Sequence, residues 1–271
     1  DSDLYVPSAV ADFESNELPV TDTRVSPFVQ LRSYVADYHR VHDFETLGLE
    51  EDFRVGHEAV VRLYPATRQV ASTRDMLGTH AALGYGVRLG SGIARAIAAS
   101  TIEKSTRAAT DATFQLSARL VTPRVGFGRF VYDGLLVNHY ENYLNERLTV
   151  GGDGRLRGYA PQAFIGKDVV ASNLEFRTRP VQIWSVQVGG AAFYDAADAF
   201  DGISDLRLKH AVGVGLRTVF PQAERTVFRA DYGVPVTSSG LVFPGALFIA
   251  FGQAFGMPSI PAPSLETEYG D

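Results

Sequence analysis

The chain has 271 residues, with 25 Lys and Arg against 31 Asp and Glu (net charge −6), 26 glycines, 11% aromatic residues and no cysteine. The modest net charge and frequent aromatics exclude a disordered chain, and the acidic balance argues against a general nucleic-acid binder, which needs a basic face. The lack of cysteine excludes a disulfide scaffold, a zinc–thiolate site and a thiol nucleophile.

No apolar run approaches the roughly 18 residues of a spanning helix. The best one, Gly245–Phe251, has the length of a strand. That leaves a soluble β-protein or a membrane β-barrel. The first residues, Asp1-Ser2-Asp3, have neither the basic region nor the apolar core of a signal peptide, as expected of a mature chain if the protein is exported. Residues 1–26 are read as an N-terminal segment. Within it Leu4–Phe13 offers one extra strand, with Pro7 acceptable at a strand start or edge.

From 27 to 255 a period-2 alternation takes over. Strands are expected at about 27–41, 50–64, 78–89, 92–103, 111–122, 125–139, 168–179, 183–195, 206–219, 224–234 and 245–255. In the second, Phe53, Val55, Ala59, Val61 and Leu63 share one face, and Arg54, Glu58 and Arg62 the other. In 168–179 the even positions, Val170, Leu174 and Phe176 among them, are apolar or neutral, while Asn173, Glu175, Arg177 and Arg179 are polar. Trp184, Val186, Val188 and Tyr194 oppose Gln187 and Asp195. Phe228, Ala230 and Tyr232 oppose Arg229 and Asp231. Leu247, Ile249, Phe251 and Phe255 oppose Ala246, Ala250 and Gly252.

Strands of soluble sandwiches run nearer five or six residues; these are long enough to cross a bilayer at a tilt. The links alternate as well. Short ones fall near Gly90, Pro123, Pro180 and Pro221, and long ones at 65–77, 104–110, 140–167, 196–205 and 235–244. Outer-membrane barrels have short periplasmic turns and long external loops in this way. The fold class is therefore read as all-β, an antiparallel transmembrane β-barrel over 27–255. Eleven strands are visible, about 12 with the extra one, and loop 140–167 lies outside. Residues 256–271, proline-rich and acidic, are read as a flexible C-terminal extension.

Catalytic motifs are absent: there is no Walker loop, no G-x-S-x-G elbow and no H-E-x-x-H. The histidines lack ligand spacing for a metal. No catalytic residue, metal or cofactor is expected. The informative element is loop 140–167, with Gly151-Gly152-Asp153-Gly154-Arg155-Leu156-Arg157-Gly158-Tyr159. Its glycines allow tight turns and close approach to other backbone. Arg157 stands among them, and Glu175 and Asp195 fall on the polar faces of the two following strands. Folded into a barrel lumen, the loop would let Arg157 bridge both carboxylates, a task that suits a planar guanidinium fork.

Leu156-Arg157-Gly158-Tyr159 resembles the (V/L/I)-R-G-(F/Y) lumen-loop signature of the BamA/TamA-type outer-membrane barrels, the bacterial surface antigen family. Ala191–Ala197 resembles that family's F-x-D-x-G strand, with alanine at 197 where glycine is usual. Asn173–Arg177 resembles the acidic strand after the loop, and five strands follow the loop as in the family. Ala246–Phe255 resembles the C-terminal recognition strand, with Phe255 as terminal aromatic, although 16 residues follow it. The resemblance is to a short form: family barrels have 16 strands and are preceded by periplasmic POTRA modules.

The resemblance implies that Arg157 is held by Glu175 and Asp195, with Leu156, Gly158 and Tyr159 completing the motif, and that a weakly paired seam lies beside Gly252 and Phe255. It further implies an outer-membrane location in a two-membrane bacterium, no covalent chemistry, and a role in inserting or exporting proteins. The implied partners are the lipid bilayer and unfolded outer-membrane proteins, with no nucleic acid. The alternative is a non-catalytic pore, or an anchor for a docking or passenger chain.

Overall fold

Alternation of polar and apolar side chains is what a strand between one wet and one greasy face requires. The computed structural model of the chain is built mostly of such strands and describes residues 6–105, 110–153, 155–222 and 224–261. In chain order they are β1 (Val29–Tyr34), β2 (Asp37–His42), β3 (Glu50–Ala66), β4 (Met76–Leu89), β5 (Gly92–Ser105), β6 (Asp111–Val121), β7 (Gly128–Asn142), β8 (Leu148–Val150), β9 (Phe164–Gly166), β10 (Asp168–Thr178), β11 (Val181–Ile183), β12 (Val186–Phe200), β13 (Lys209–Phe220), β14 (Glu224–Thr237), β15 (Gly240–Leu241) and β16 (Ala246–Phe251). The fold is all-β and antiparallel.

The long strands form one meander, β3-β4-β5-β6-β7-β10-β12-β13-β14, each hydrogen-bonded to the next. β1 and β2 both pair with β3, and β16 pairs with β14. Among the described residues no ladder joins the β1–β2 edge to β16, so the sheet is not closed into a barrel. The links after β4, β6, β10 and β13 lie at one end of the sheet and those after β3, β5, β7, β12 and β14 at the other, as the antiparallel order requires; the sorting by length is incomplete, since 122–127 has six residues and 106–110 five.

The sheet is inverted relative to a water-soluble protein. Its inward positions hold buried charges, including Glu58, Arg95, Arg119, Asp133, Asp195 and Asp231. Its outward positions hold exposed apolar side chains, among them Leu83 (60% exposed), Val214 (61%) and Ile249 (63%). In β10 the odd positions Asn173, Glu175 and Arg177 are buried, and Leu174 between them is exposed. β3 departs from the expected single face. Val61 and Leu63 point out, but Phe53 and Val55 join an interior cluster with Val41, Phe44 and Ile93. The change comes at Gly56, where β3 leaves β4 and continues with β2 alone.

The N-terminal segment forms no extra strand within the described residues. Pro7–Asn16 is instead a helix, α1, with Pro7 in its first turn. There the fixed φ of proline suits the helix and its missing N–H costs nothing. No described helix is long and apolar enough to cross a membrane.

The last strand is also shorter than expected. β16 stops at Phe251, and the chain turns away at Gly252, whose φ is +87°. Phe255 is therefore not an outward strand residue but lies inside, 5% exposed. Beyond it, Arg119 donates to the Phe255 carbonyl, the Met257 N–H to the Glu45 carboxylate, and Arg95 Nε to the Pro258 carbonyl at 2.8 Å. The described part of the C-terminal extension, 256–261, thus runs along the inner face; residues 262–271 lie outside the described residues.

Candidate functional site

Between β7 and β10 the chain leaves the sheet for 25 residues, 143–167. The β8–β9 ladder closes the neck of this excursion, pairing Leu148 with Gly166 and Val150 with Phe164. Leu156 anchors its tip: it is fully buried in a cluster with Val150, Val169, Ala171, Ala197, Ala199 and Ala211. Ala197, where the resemblance led us to look for glycine, is itself fully buried there.

Beside Leu156, Arg157 is buried completely. Its Nε and Nη2 donate to Asp195 Oδ2 and Oδ1, both at 2.8 Å, and its own backbone N–H reaches Oδ2 at 3.1 Å. Its Nη1 donates to Glu175 and, at 3.3 Å, to Asp231. The guanidinium carbon lies 3.6 Å from the centre of the Phe193 ring, a cation–π contact in a desolvated setting. Burial opposes the charge of Arg157. The hydrogen bonds to Asp195 and the charges of Glu175, Asp195 and Asp231 outweigh it and raise the pKa of Arg157 above its usual value.

Sheet register explains why these groups meet. Asn173 lies opposite Asp195, and Glu175 opposite Phe193, across the β10–β12 ladder. Inward side chains on neighbouring strands therefore converge on one level. Asn173 Nδ2 donates to Asp195 Oδ1 at 2.9 Å and to the Arg155 carbonyl at 2.7 Å, tying the loop backbone to the wall. Around this core Arg177 Nε donates to Glu175 at 2.7 Å, Arg229 to Asp231 at 2.9 Å, and Arg217 to Asp231 at 3.2 Å. Arg229 also pairs with Asp153 on the loop. Four guanidiniums (157, 177, 217, 229) thus face four carboxylates (153, 175, 195, 231). A buried ion network holds only when its charges and hydrogen bonds are mutually satisfied.

Of the expected site residues, Arg157, Glu175 and Asp195 come together directly. Gly158, with φ +108°, lies against the backbone of Gly233 and Val234. The Tyr159 hydroxyl donates to the His210 carbonyl at 3.3 Å, and its ring meets Phe164 edge-on at 5.3 Å. Phe255 joins the same site from the C-terminal side, its ring 5.3 Å from the Arg157 guanidinium and 5.2 Å from that of Arg155. Gly252 does not join it; it marks the point where the chain leaves the sheet, its N–H bonded to the Val227 carbonyl at 2.6 Å. Sequence reasoning did not place Asp231 here, nor Arg217, Arg229, Asp153 and Phe193; Asp231 is the one that touches Arg157 as a third acid. Its position on the polar face of 224–234, two residues from Arg229, was the available signal.

Among the described residues no group of three or more His, Asp or Glu is arranged to hold a metal. The arrangement fixes a loop by charge. Comparison with models of known protein families gives no match. Comparison with curated protein sequences likewise gives none.

Proposed function

We propose that the chain is an outer-membrane protein of the β-barrel type whose seam between β1–β2 and β16 is left unpaired, a short form of the BamA/TamA-type superfamily, that assists the insertion or export of other proteins and performs no covalent chemistry. The membrane part of this reading draws on the inverted sheet. Buried arginines and carboxylates inside and bare Leu, Val and Ile side chains outside suit a lipid surround and are costly in water. Exposed aromatics at the short-turn end, Trp184 and Phe127, fit an interfacial girdle.

The observation that carries the assembly role is the pair of free sheet edges. β1–β2 is broken at Val35–Ala36, and β16 has only six residues. Among the described residues each has a partner on one side only. Such edges accept an incoming strand by backbone hydrogen bonding. A partner-anchor reading shares the same membrane placement. An open pore fits less well, because the loop tip and the chain around Phe255 and Pro258 lie against the inner face.

The test is an assembly assay. The full chain is reconstituted in liposomes, and folding of a urea-denatured outer-membrane barrel is followed with and without it. Acceleration that Arg157→Ala removes supports the assembly role. No acceleration by a folded, heat-modifiable wild-type chain rejects it in favour of an anchor.

A further inference from the structure

The short-turn end of the sheet contains a cavity of about 500 Å³. It lies between the link that joins β2 to β3 and the turns that follow β6 and β10, and four arginines line it: Arg40, Arg124, Arg129 and Arg179. The one carboxylate in its wall is Asp43, which is already engaged by Arg124 and by the Gly48 N–H. Arg40 is turned partly toward Asp52 and Glu50 on the exposed hairpin. Positive charge is therefore in excess.

Arg129 makes that excess specific. It is 5% exposed and forms no hydrogen bond or ion pair with any described residue; its Nη1 is buried without a partner. The Phe44 ring lies against it, its centre 4.8 Å from the guanidinium carbon. Directly across the β7–β10 ladder, Arg129 faces Arg177, whose Nη2 is also buried and unpartnered. Like charges directly opposite repel, and a buried guanidinium without an acceptor is strongly unfavourable. Arg177 itself lies outside the cavity wall, so an anion in the cavity would supply the missing acceptor to Arg129 and offset the repulsion between the two guanidiniums.

We infer that this cavity binds a phosphate group, held by Arg129 with Arg124 and Arg179. Guanidinium forks match the several acceptor oxygens of a phosphate. The group is a free phosphate ion or the headgroup of a phospholipid at the membrane surface. The site does not depend on the assembly role proposed above.

The test uses the full chain in a non-ionic detergent. Equilibrium dialysis with labelled inorganic phosphate is run at constant ionic strength in chloride. Wild type is expected to take up phosphate saturably, one per chain. Arg129→Gln should weaken uptake by about tenfold or more, as expected for a lost charge-assisted contact. Arg179 is exposed, so Arg179→Gln folds normally and should weaken uptake several-fold. Dihexanoyl phosphatidylglycerol is then added as competitor, with dihexanoylglycerol as control. Displacement by the phospholipid alone assigns the site to headgroups; displacement by neither assigns it to free phosphate. Either supports the site. Absence of saturable uptake in wild type, or uptake unchanged in both variants, overturns it.

Discussion

Gly158 and Gly233 bring the loop and the sheet into backbone contact. A Cβ on Gly233 would lie 2.7 Å from both the Arg157 carbonyl carbon and the Gly158 nitrogen, and one on Gly158 would lie 3.0 Å from Gly233. Nothing at either position is a flexible side chain that could yield. Gly233→Ala should therefore lift the loop tip off β14 and cost about 1–3 kcal/mol, the usual penalty of overpacking. Faster protease cleavage within 143–167, with strand content unchanged, is the expected result. Unaltered cleavage in Gly233→Ala would count against the contact.

The network also predicts which acid depends most on Arg157. Glu175 keeps Arg177, and Asp231 keeps Arg217 and Arg229, when Arg157 is removed. Asp195 keeps the amide of Asn173 and the backbone N–H of residue 157, but no ion-pair partner among the described residues. Arg157→Ala should cost about 3–5 kcal/mol, as for other broken buried pairs. Adding Asp195→Asn should recover a large part of that loss, whereas adding Asp231→Asn should not. Equal recovery by the two second substitutions, measured by urea unfolding in detergent, would sink this ranking.

Much of this was legible in the sequence because alternation and loop chemistry are local properties. Each long strand lies within a few residues of the segment whose period-2 pattern announced it, and the glycines around Arg157 marked a backbone that approaches others. What the pattern could not convey was tertiary. The inward swing at Gly56 splits a continuous apolar face into two, because β3 changes partners there. Pro7 reads equally as a strand start and as a helix start. Phe255 keeps the alternating parity of β16 yet points inside, because the ladder has ended and arginines offer its ring a face. Asp231 was visible as a polar-face residue, but its convergence with Arg157 depends on the register of three strands.

The outward face can be tested without reference to function. Nitroxide labels at Leu174, Val214 and Ile249, all exposed apolar positions, should be relaxed by oxygen and protected from a water-soluble nickel chelate when the chain is in liposomes. A label at Asn173, buried between two strands, should be poorly reached by both. Strong relaxation by the nickel chelate at the first three sites would place that face in water and remove the membrane reading.

The neck of the loop should respond to acid. Arg147 Nη1 donates to both oxygens of Asp201, at 2.7 and 2.8 Å, and the Lys167 N–H donates to Asp201 Oδ1 at 2.9 Å. One carboxylate beyond the end of β12 thus holds both ends of the 143–167 excursion. Burial, which is slight, works against the Asp201 charge, but the hydrogen bonds from Arg147 and Lys167 outweigh it and hold the carboxyl below its usual range. A carboxyl whose pKa is depressed in the folded state contributes stability that is fully present above the unfolded value, about 3.9. That contribution fades as pH falls through the lower folded value. Because Asp201 is partly exposed, the effect is local tethering rather than a large share of global stability. A spin label at Ile165, an exposed position on β9, should be restrained at neutral pH and gain mobility as the pH drops below about 4. In Asp201→Asn the same label should be mobile across the whole range, because an amide cannot accept the paired guanidinium as a carboxylate does. An Asp201→Asn label that is still restrained at neutral pH and loosens only in acid would show that another group fastens the neck.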